Sequence, residues 1–318
     1  MAFITNFGSK ILAILYLFKR TKLNPLPTKK SHIDPNLIKK LRKYIILIRK
    51  HQDEHGFIET DECDSVLFSG LISIADLKIN LKAARDEDGM WHRRPLIYPE
   101  CWRPESNKGS TISRDMLLGV LWHIWVTQNL KMAEELWDYG IKNSWIMGYG
   151  DISRIYLTPG LQATLADIIY KLGGKNHRLT RAIPQMWSKE NRGYAFHLDL
   201  LHIELRAQVM GGMTDDMLLI LNNYYSREPM NPLVQVLYAK YISGNGAKAS
   251  ELLMREDWFP SDRLPTEKDR YARWLPERSY YQEDGSISPD YLPGSGEKSH
   301  SGGDLIFCAQ LLLDWFDL

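Results

Sequence analysis

Ser113-Arg114-Asp115-Met116-Leu117-Leu118-Gly119-Val120-Leu121-Trp122-His123-Ile124-Trp125 begins with three polar residues and continues with apolar side chains on nearly every side. A helix apolar all round must be enclosed by other elements. The stretch that follows, Lys131 to Asn143, is amphipathic and reads as its outer partner. Two further stretches open in the same way: Glu62-Cys63-Asp64-Ser65-Val66-Leu67-Phe68 and Ser301-Gly302-Gly303-Asp304-Leu305-Ile306-Phe307. Glycine-containing turns precede two of these helices, at Gln52-Asp53-Glu54-His55-Gly56-Phe57 and at Arg85-Asp86-Glu87-Asp88-Gly89-Met90-Trp91. Enclosed helices alternating with amphipathic ones predict an all-α fold of two concentric layers.

Periodicity fills in the remaining elements. Asp34-Pro35 sets an N-cap with proline at the first helical position, and Leu37, Leu41, Ile45, Ile46 and Ile48 carry that helix to Gly56. Helices are expected from Asp64 to Ala75, and briefly up to Ala84. Others are expected at Gly160–Leu172, His197–Met210, Asp215–Tyr225, Pro232–Ser243, Ala247–Arg255 and Asp304–Phe316. No run of alternating β-branched residues with hairpin turns stands out. Met90 to Thr111 reads as a long loop with several prolines, and Trp258 to Gly303 as a long polar loop or lid.

The chain has 318 residues, 44% hydrophobic and 25% charged, which suits a soluble protein able to bury a large core without a metal or disulfide. Cys63, Cys101 and Cys308 are far apart and have no metal-site spacing, so no cofactor or metal is expected. Net charge is +1, but up to Lys50 the only acid is Asp34, so the rest is net acidic. A basic beginning on an acidic body suits an anionic surface such as phospholipid; it equally describes a solvated helix face. Ile11 to Phe18 is too short to span a bilayer, and no clear cleavage site follows. Residues 1–31 therefore read as a basic amphipathic extension and 32–318 as the helical domain. A cytoplasmic or peripheral membrane location is expected.

The sequence Gln52-Asp53-Glu54-His55-Gly56-Phe57, with Asp64 opening the next helix, resembles the α/α-toroid superfamily, in particular six-hairpin glycosidases and related polysaccharide lyases. The resemblance covers most of the chain after Ser31. It implies an (α/α) toroid, a ring of helical hairpins with long loops gathered at one mouth. It also implies a carbohydrate-active enzyme, a glycoside hydrolase or polysaccharide lyase. Toroids also occur in terpene cyclases, prenyltransferases and lanthionine cyclases, so the fold alone does not fix the chemistry. Arg85 to Trp91 partly matches the Gln-x3-Gly-x-Trp repeat of triterpene cyclases, with arginine in place of glutamine, but their acidic protonation motif is absent.

Glycoside hydrolysis needs two carboxyl groups, one protonated and one ionised. Asp64, Asp115 and Asp151 are the acid/base candidates; each also suits plain helix capping or local ion pairing. His92 is a proton-transfer candidate, the base a lyase would use. Trp91 and Trp102 are candidate platforms for sugar rings, and Arg93, Arg94, Arg114 and Arg154 candidate anion binders. Late helices open on His197 and His300, which suit capping as well as a site. The expected ligand is a glycan, with an anionic membrane surface as a second partner and no specific nucleic acid. The alternative is a non-catalytic helical scaffold that binds a glycan or protein and attaches to a membrane through its N-terminus. No P-loop, dinucleotide fingerprint, HExxH or GxSxG motif is present.

Overall fold

The computed structural model describes residues 22–58, 65–95, 111–149, 154–183, 196–266 and 302–317, without the side chains of 196–198. The described chain is mostly helical. Its α-helices are α1 (Asn36–Arg49), α2 (Ser65–Ile72), α3 (Arg114–Val126), α4 (Leu130–Lys142), α5 (Pro159–Lys171), α6 (Arg178–Arg181), α7 (Phe196–Met210), α8 (Asp215–Arg227), α9 (Pro232–Tyr238), α10 (Ala247–Met254) and α11 (Gly303–Phe316). A 3-10 turn at Ser73–Ala75 extends α2, another covers Leu81–Ala84, and a π-helical turn at Ala239–Ser243 extends α9.

Burial separates two layers. Every residue of α2 is buried, as are Met116 to Ile124 of α3 and most of α5, α9 and α11. α1, α4 and α8 bury one face only. Among the enclosed helices, α2 touches α3, α3 touches α7, α7 touches α9, α9 touches α11, and α11 returns to α2; α5 lies against α7. The tightest crossing joins α2 and α3, where a Cβ on Gly70 would overlap the Gly119 backbone. Only glycine lets two helices meet this closely.

Residue pairs across these contacts show that the enclosed helices run parallel. Leu67 lies by Gly119 and Ser73 by His123, so later residues of α2 meet later residues of α3. Thr164 meets His202 and Asp167 meets Arg206 along α5 and α7. Trp125 meets Gln208 near the ends of α3 and α7, and Glu204 meets Lys240 just past α9. The outer helices run the other way: Tyr224, late in α8, bonds Asp199, early in α7. The enclosed helices thus share an N-terminal pole and a C-terminal pole.

Two hydroxyl–histidine pairs lock this core. Ser73 Oγ bonds the Ser69 carbonyl at 3.2 Å and lies 2.7 Å from His123 Nδ1. Thr164 Oγ1 bonds the Gly160 carbonyl at 3.2 Å and lies 2.7 Å from His202 Nε2. A hydroxyl has one proton, so when it serves the carbonyl the ring nitrogen must donate. Burial pulls His123 down to about 4; burial, then the nearby Arg206 charge, pulls His202 to about 3. Both rings are neutral near pH 7.

The structure corrects several expectations. The first helix stops at Arg49 rather than near Gly56, because Asp53 turns the chain: its Oδ1 accepts from His55 N and Phe57 N, both at 2.8 Å. Ile146–Tyr149 (β1) and Arg154–Tyr156 (β2) form a two-stranded antiparallel sheet, although no strand pattern stands out in the sequence. Ser144 and Trp145, both at positive φ, redirect the chain out of α4 into it. Residues 22–31, assigned by sequence to the extension, lie along the C-terminal pole. Asn24 N bonds the Met213 carbonyl at 2.8 Å, Ser31 N bonds the Gly244 carbonyl at 3.0 Å, and Lys30 pairs with Asp317. Ile11–Phe18 lies outside the described residues. No helix among the described residues is long and apolar enough to cross a membrane. Trp258 and Phe259, at the start of the expected lid, are fully buried.

Candidate functional site

The two glycine turns noticed in the sequence are one structure used twice. Asp53 N bonds the Phe57 carbonyl at 2.9 Å, and Asp86 N bonds the Met90 carbonyl at 3.0 Å. The Asp side chains accept from Phe57 N and Met90 N, each at 2.8 Å. Gly56 and Gly89 hold φ of 84° and 94°, a region other residues avoid. Gln52 Nε2 donates to the Gly56 carbonyl at 2.6 Å, and Arg85 Nε to the Gly89 carbonyl at 3.3 Å. The arginine that departs from the glutamine pattern therefore does the glutamine's work. It also pairs with Glu135 of α4, as does Lys82 at 3.0 Å.

Both turns feed the N-terminal pole. After the second, the Arg93 carbonyl accepts from Val66 N at 3.0 Å, which sets Arg93 beside the first turn of α2. Arg114 and Asp115 are the first two residues of α3. Thr111 N bonds the Tyr149 carbonyl at 2.8 Å, so the approach to α3 runs along β1, and Arg154 pairs with Tyr149 in the register of the sheet.

Asp115, an acid/base candidate that also suits capping, lies in the first turn of α3, whose N-cap is Ser113. Asp115 Oδ1 accepts from Met116 N at 3.0 Å and from the Ser113 hydroxyl. The same arrangement recurs at α11, where Asp304 Oδ1 accepts from Leu305 N at 2.9 Å. The matching sequence openings thus place two carboxylates in the first turn of two enclosed helices, where the helix dipole favours negative charge. α3 and α11 touch through Trp122 and Phe307, edge to face at 4.9 Å.

Three more groups join them at this pole. Asp199, buried in the first turn of α7, accepts from the Tyr224 hydroxyl at 2.5 Å. Burial, then the Asp199 charge, pushes the Tyr224 phenol above its ordinary range. Glu228 is fully buried between α8 and α9, and Asn231 caps α9 through Leu233 N at 3.0 Å. Asp199, Glu228 and Asp304 were not among the sequence candidates. Signals for two of them were present: Asp304 completes the third echoed helix opening, and Asp199 is an acid set among leucines in an enclosed helix.

The remaining candidates divide. Asp64, Asp151, Trp102 and His300 lie outside the described residues, as do Cys63 and Cys101; the side chain of His197 does also. His92 Nε2 lies 3.0 Å from Asp86 Oδ2 and so is tied to the second turn. Trp91 is 1% exposed, and its ring packs in the core. Arg94 is half-buried near Arg93 in sequence, beyond that turn. Cys308 is buried, which raises its thiol well above the ordinary range. Among the described residues no group of three or more His, Cys, Asp or Glu is arranged to hold a metal ion. No family model, no curated protein and no solved structure matches this chain.

Proposed function

We propose that the protein is a carbohydrate-active enzyme on an α/α toroid, acting on a glycan by hydrolysis or elimination at the N-terminal pole of its enclosed helices. One observation carries this reading: parallel helices bring Asp115, Asp199, Glu228 and Asp304 to the same pole, with Arg93 and Arg114 beside them. The toroid is supported by the closed succession of contacts from α2 through α3, α7, α9 and α11 back to α2. In a hydrolase, one carboxylic acid gives its proton to the leaving oxygen, and a second, ionised carboxylate activates water or attacks the sugar. In a lyase, the arginines neutralise a uronate and a base removes the proton beside it. Asp115 and Asp304 are the leading pair, because each carboxylate accepts its neighbour's backbone N–H in the first turn of an enclosed helix.

The test is turnover of a panel of neutral and uronate-containing polysaccharides. New reducing ends would indicate hydrolysis, and the ultraviolet absorbance of an unsaturated uronate would indicate elimination. Asp115→Asn is expected to abolish turnover and leave the fold intact, because an Asn oxygen still accepts from Met116 N. Full activity with Asn at 115 removes Asp115 from the chemistry. Glycan binding without turnover by the unmodified protein makes it a binding scaffold instead.

A further inference from the structure

α1 presents an unusual outer face. Leu37, Leu41, Tyr44 and Ile48 point inward and are buried. On the other side Lys39, Arg42, Lys43, Ile46, Arg49 and Lys50 are all exposed, Ile46 at 55%. At 3.6 residues per turn these six fall within an arc of about 120° and extend about 16 Å along the axis. The result is a straight stripe of five cations with one apolar side chain in its middle.

Basic helix faces on folded proteins are ordinarily interleaved with acids. This helix has none. The acid before it, Asp34, is used at the helix start, where its Oδ1 accepts from Asn36 N at 2.8 Å. Glu256, from a neighbouring segment, pairs with the inward Lys40 at 3.2 Å, and the Asp257 charge also acts on Lys40. Among the described residues, none of the five outer cations forms an ion pair. Five like charges side by side repel one another, so the stripe gains most from an external anion.

We propose that this face of α1 docks the protein on an anionic lipid bilayer. The five cations meet headgroup phosphates and carboxylates, and Ile46 enters the boundary of the acyl region. Ile46 favours lipid over a soluble polyanion, because a phosphate backbone offers an apolar side chain nothing. The helix does not insert, since its apolar side is committed to the core. The contact is therefore peripheral and salt-sensitive. It belongs to the folded body and is independent of the glycan reading.

The test is sedimentation of the full chain with vesicles of phosphatidylcholine and phosphatidylserine in equal parts, against phosphatidylcholine alone. Each cation removed is expected to weaken binding about fivefold, so Lys39→Gln/Arg42→Gln/Lys43→Gln should lose about a hundredfold. Ile46→Gln should lose a few-fold. Lys131→Gln/Lys142→Gln/Lys175→Gln, which alters exposed lysines on other elements, should bind as the parent does. Residues 1–21 are unchanged in every variant, so any loss belongs to α1. If the triple variant fails to fold, Arg42→Gln and Lys43→Gln are read singly for the same fivefold steps. Equal binding by parent and triple variant overturns the proposal, as does equal binding to phosphatidylcholine alone. It is also overturned if a DNA duplex or heparin binds the parent more tightly than the vesicles and depends on the same three residues.

Discussion

The two poles of the enclosed helices handle buried charge in opposite ways. At the C-terminal pole, charges of opposite sign face each other across helices. Glu204, fully buried, meets Lys240 at 2.6 Å and also takes Gln208 Nε2 at 2.9 Å. Asp167 meets Arg181 at 2.6 Å, and Arg206 Nη2 donates to the Ile183 carbonyl at 2.7 Å. At the N-terminal pole, carboxylates gather: Asp115, Asp199, Glu228 and Asp304, with a phenol on Asp199 and backbone N–H groups on Asp115 and Asp304. Paired charge fixes helices in register and is costly to disturb. At the N-terminal pole the carboxylates are instead met by backbone N–H groups and a phenol, partners that carry no full charge.

The largest effect expected acts on what both poles share. His123 and His202 link neighbouring enclosed helices, and their folded values of about 4 and about 3 lie below the ordinary 6.5. The folded state therefore binds fewer protons than the unfolded one between those values. Stability is complete above about pH 6.5 and is lost as the pH falls toward 4 and then 3. By pH 4 the two together cost on the order of 6 kcal/mol, comparable with the whole stability of an ordinary domain. Urea titrations across this range should show the loss, and His202→Gln should move the acid midpoint downward. A flat profile between pH 7 and 4 would show that the rings are not held neutral.

A smaller effect separates the poles directly. Lys240→Met leaves Glu204 buried beside an apolar chain and should cost about 3 kcal/mol in urea unfolding. Asp115→Asn at the other pole should cost less than about 1 kcal/mol. Equal costs would show that the two poles carry buried charge in the same way. The smallest effect compares the twin turns. Asp53→Ala removes the side-chain acceptor of two backbone N–H groups, and Asp86→Ala removes that of Met90 N together with the partner of His92. Each should lower stability by about 1 kcal/mol. Only Asp86→Ala should remove the partner of His92 Nε2 and so move the ring's NMR signals.

The helices were legible because burial repeats with the period of the helix. Pro159–Lys171, Asp215–Arg227 and Gly303–Phe316 all lie close to where apolar spacing predicts them. The β1–β2 sheet was not, because it is entered through left-handed Ser144 and Trp145, residue types that do not announce a turn. The path of residues 22–31 was hidden for another reason: its backbone makes several of the bonds, and backbone bonds leave no side-chain pattern. In the candidate site, Asp115 could be found from its helix opening. Asp304 and Asp199 also carried a sequence signal, whereas Glu228 becomes visible only when α8 and α9 are brought together. Trp91, the most conspicuous aromatic of its loop, is part of the core, and the sequence holds no signal that separates a core tryptophan from an exposed one.

The bonds of residues 22–31 also bear on the order of assembly. Asn24 meets Met213 and Asp215, partners 189 and 191 positions away, and Lys30 meets Asp317 at a separation of 287. During synthesis this segment emerges well before its partners, and 287 residues must be added after Lys30 to reach Asp317. Contacts between such distant positions carry a large loop-closure penalty and form after the local helical pairs. Residues 22–31 are thus among the last to find their places, and they fasten a body whose helices have already met.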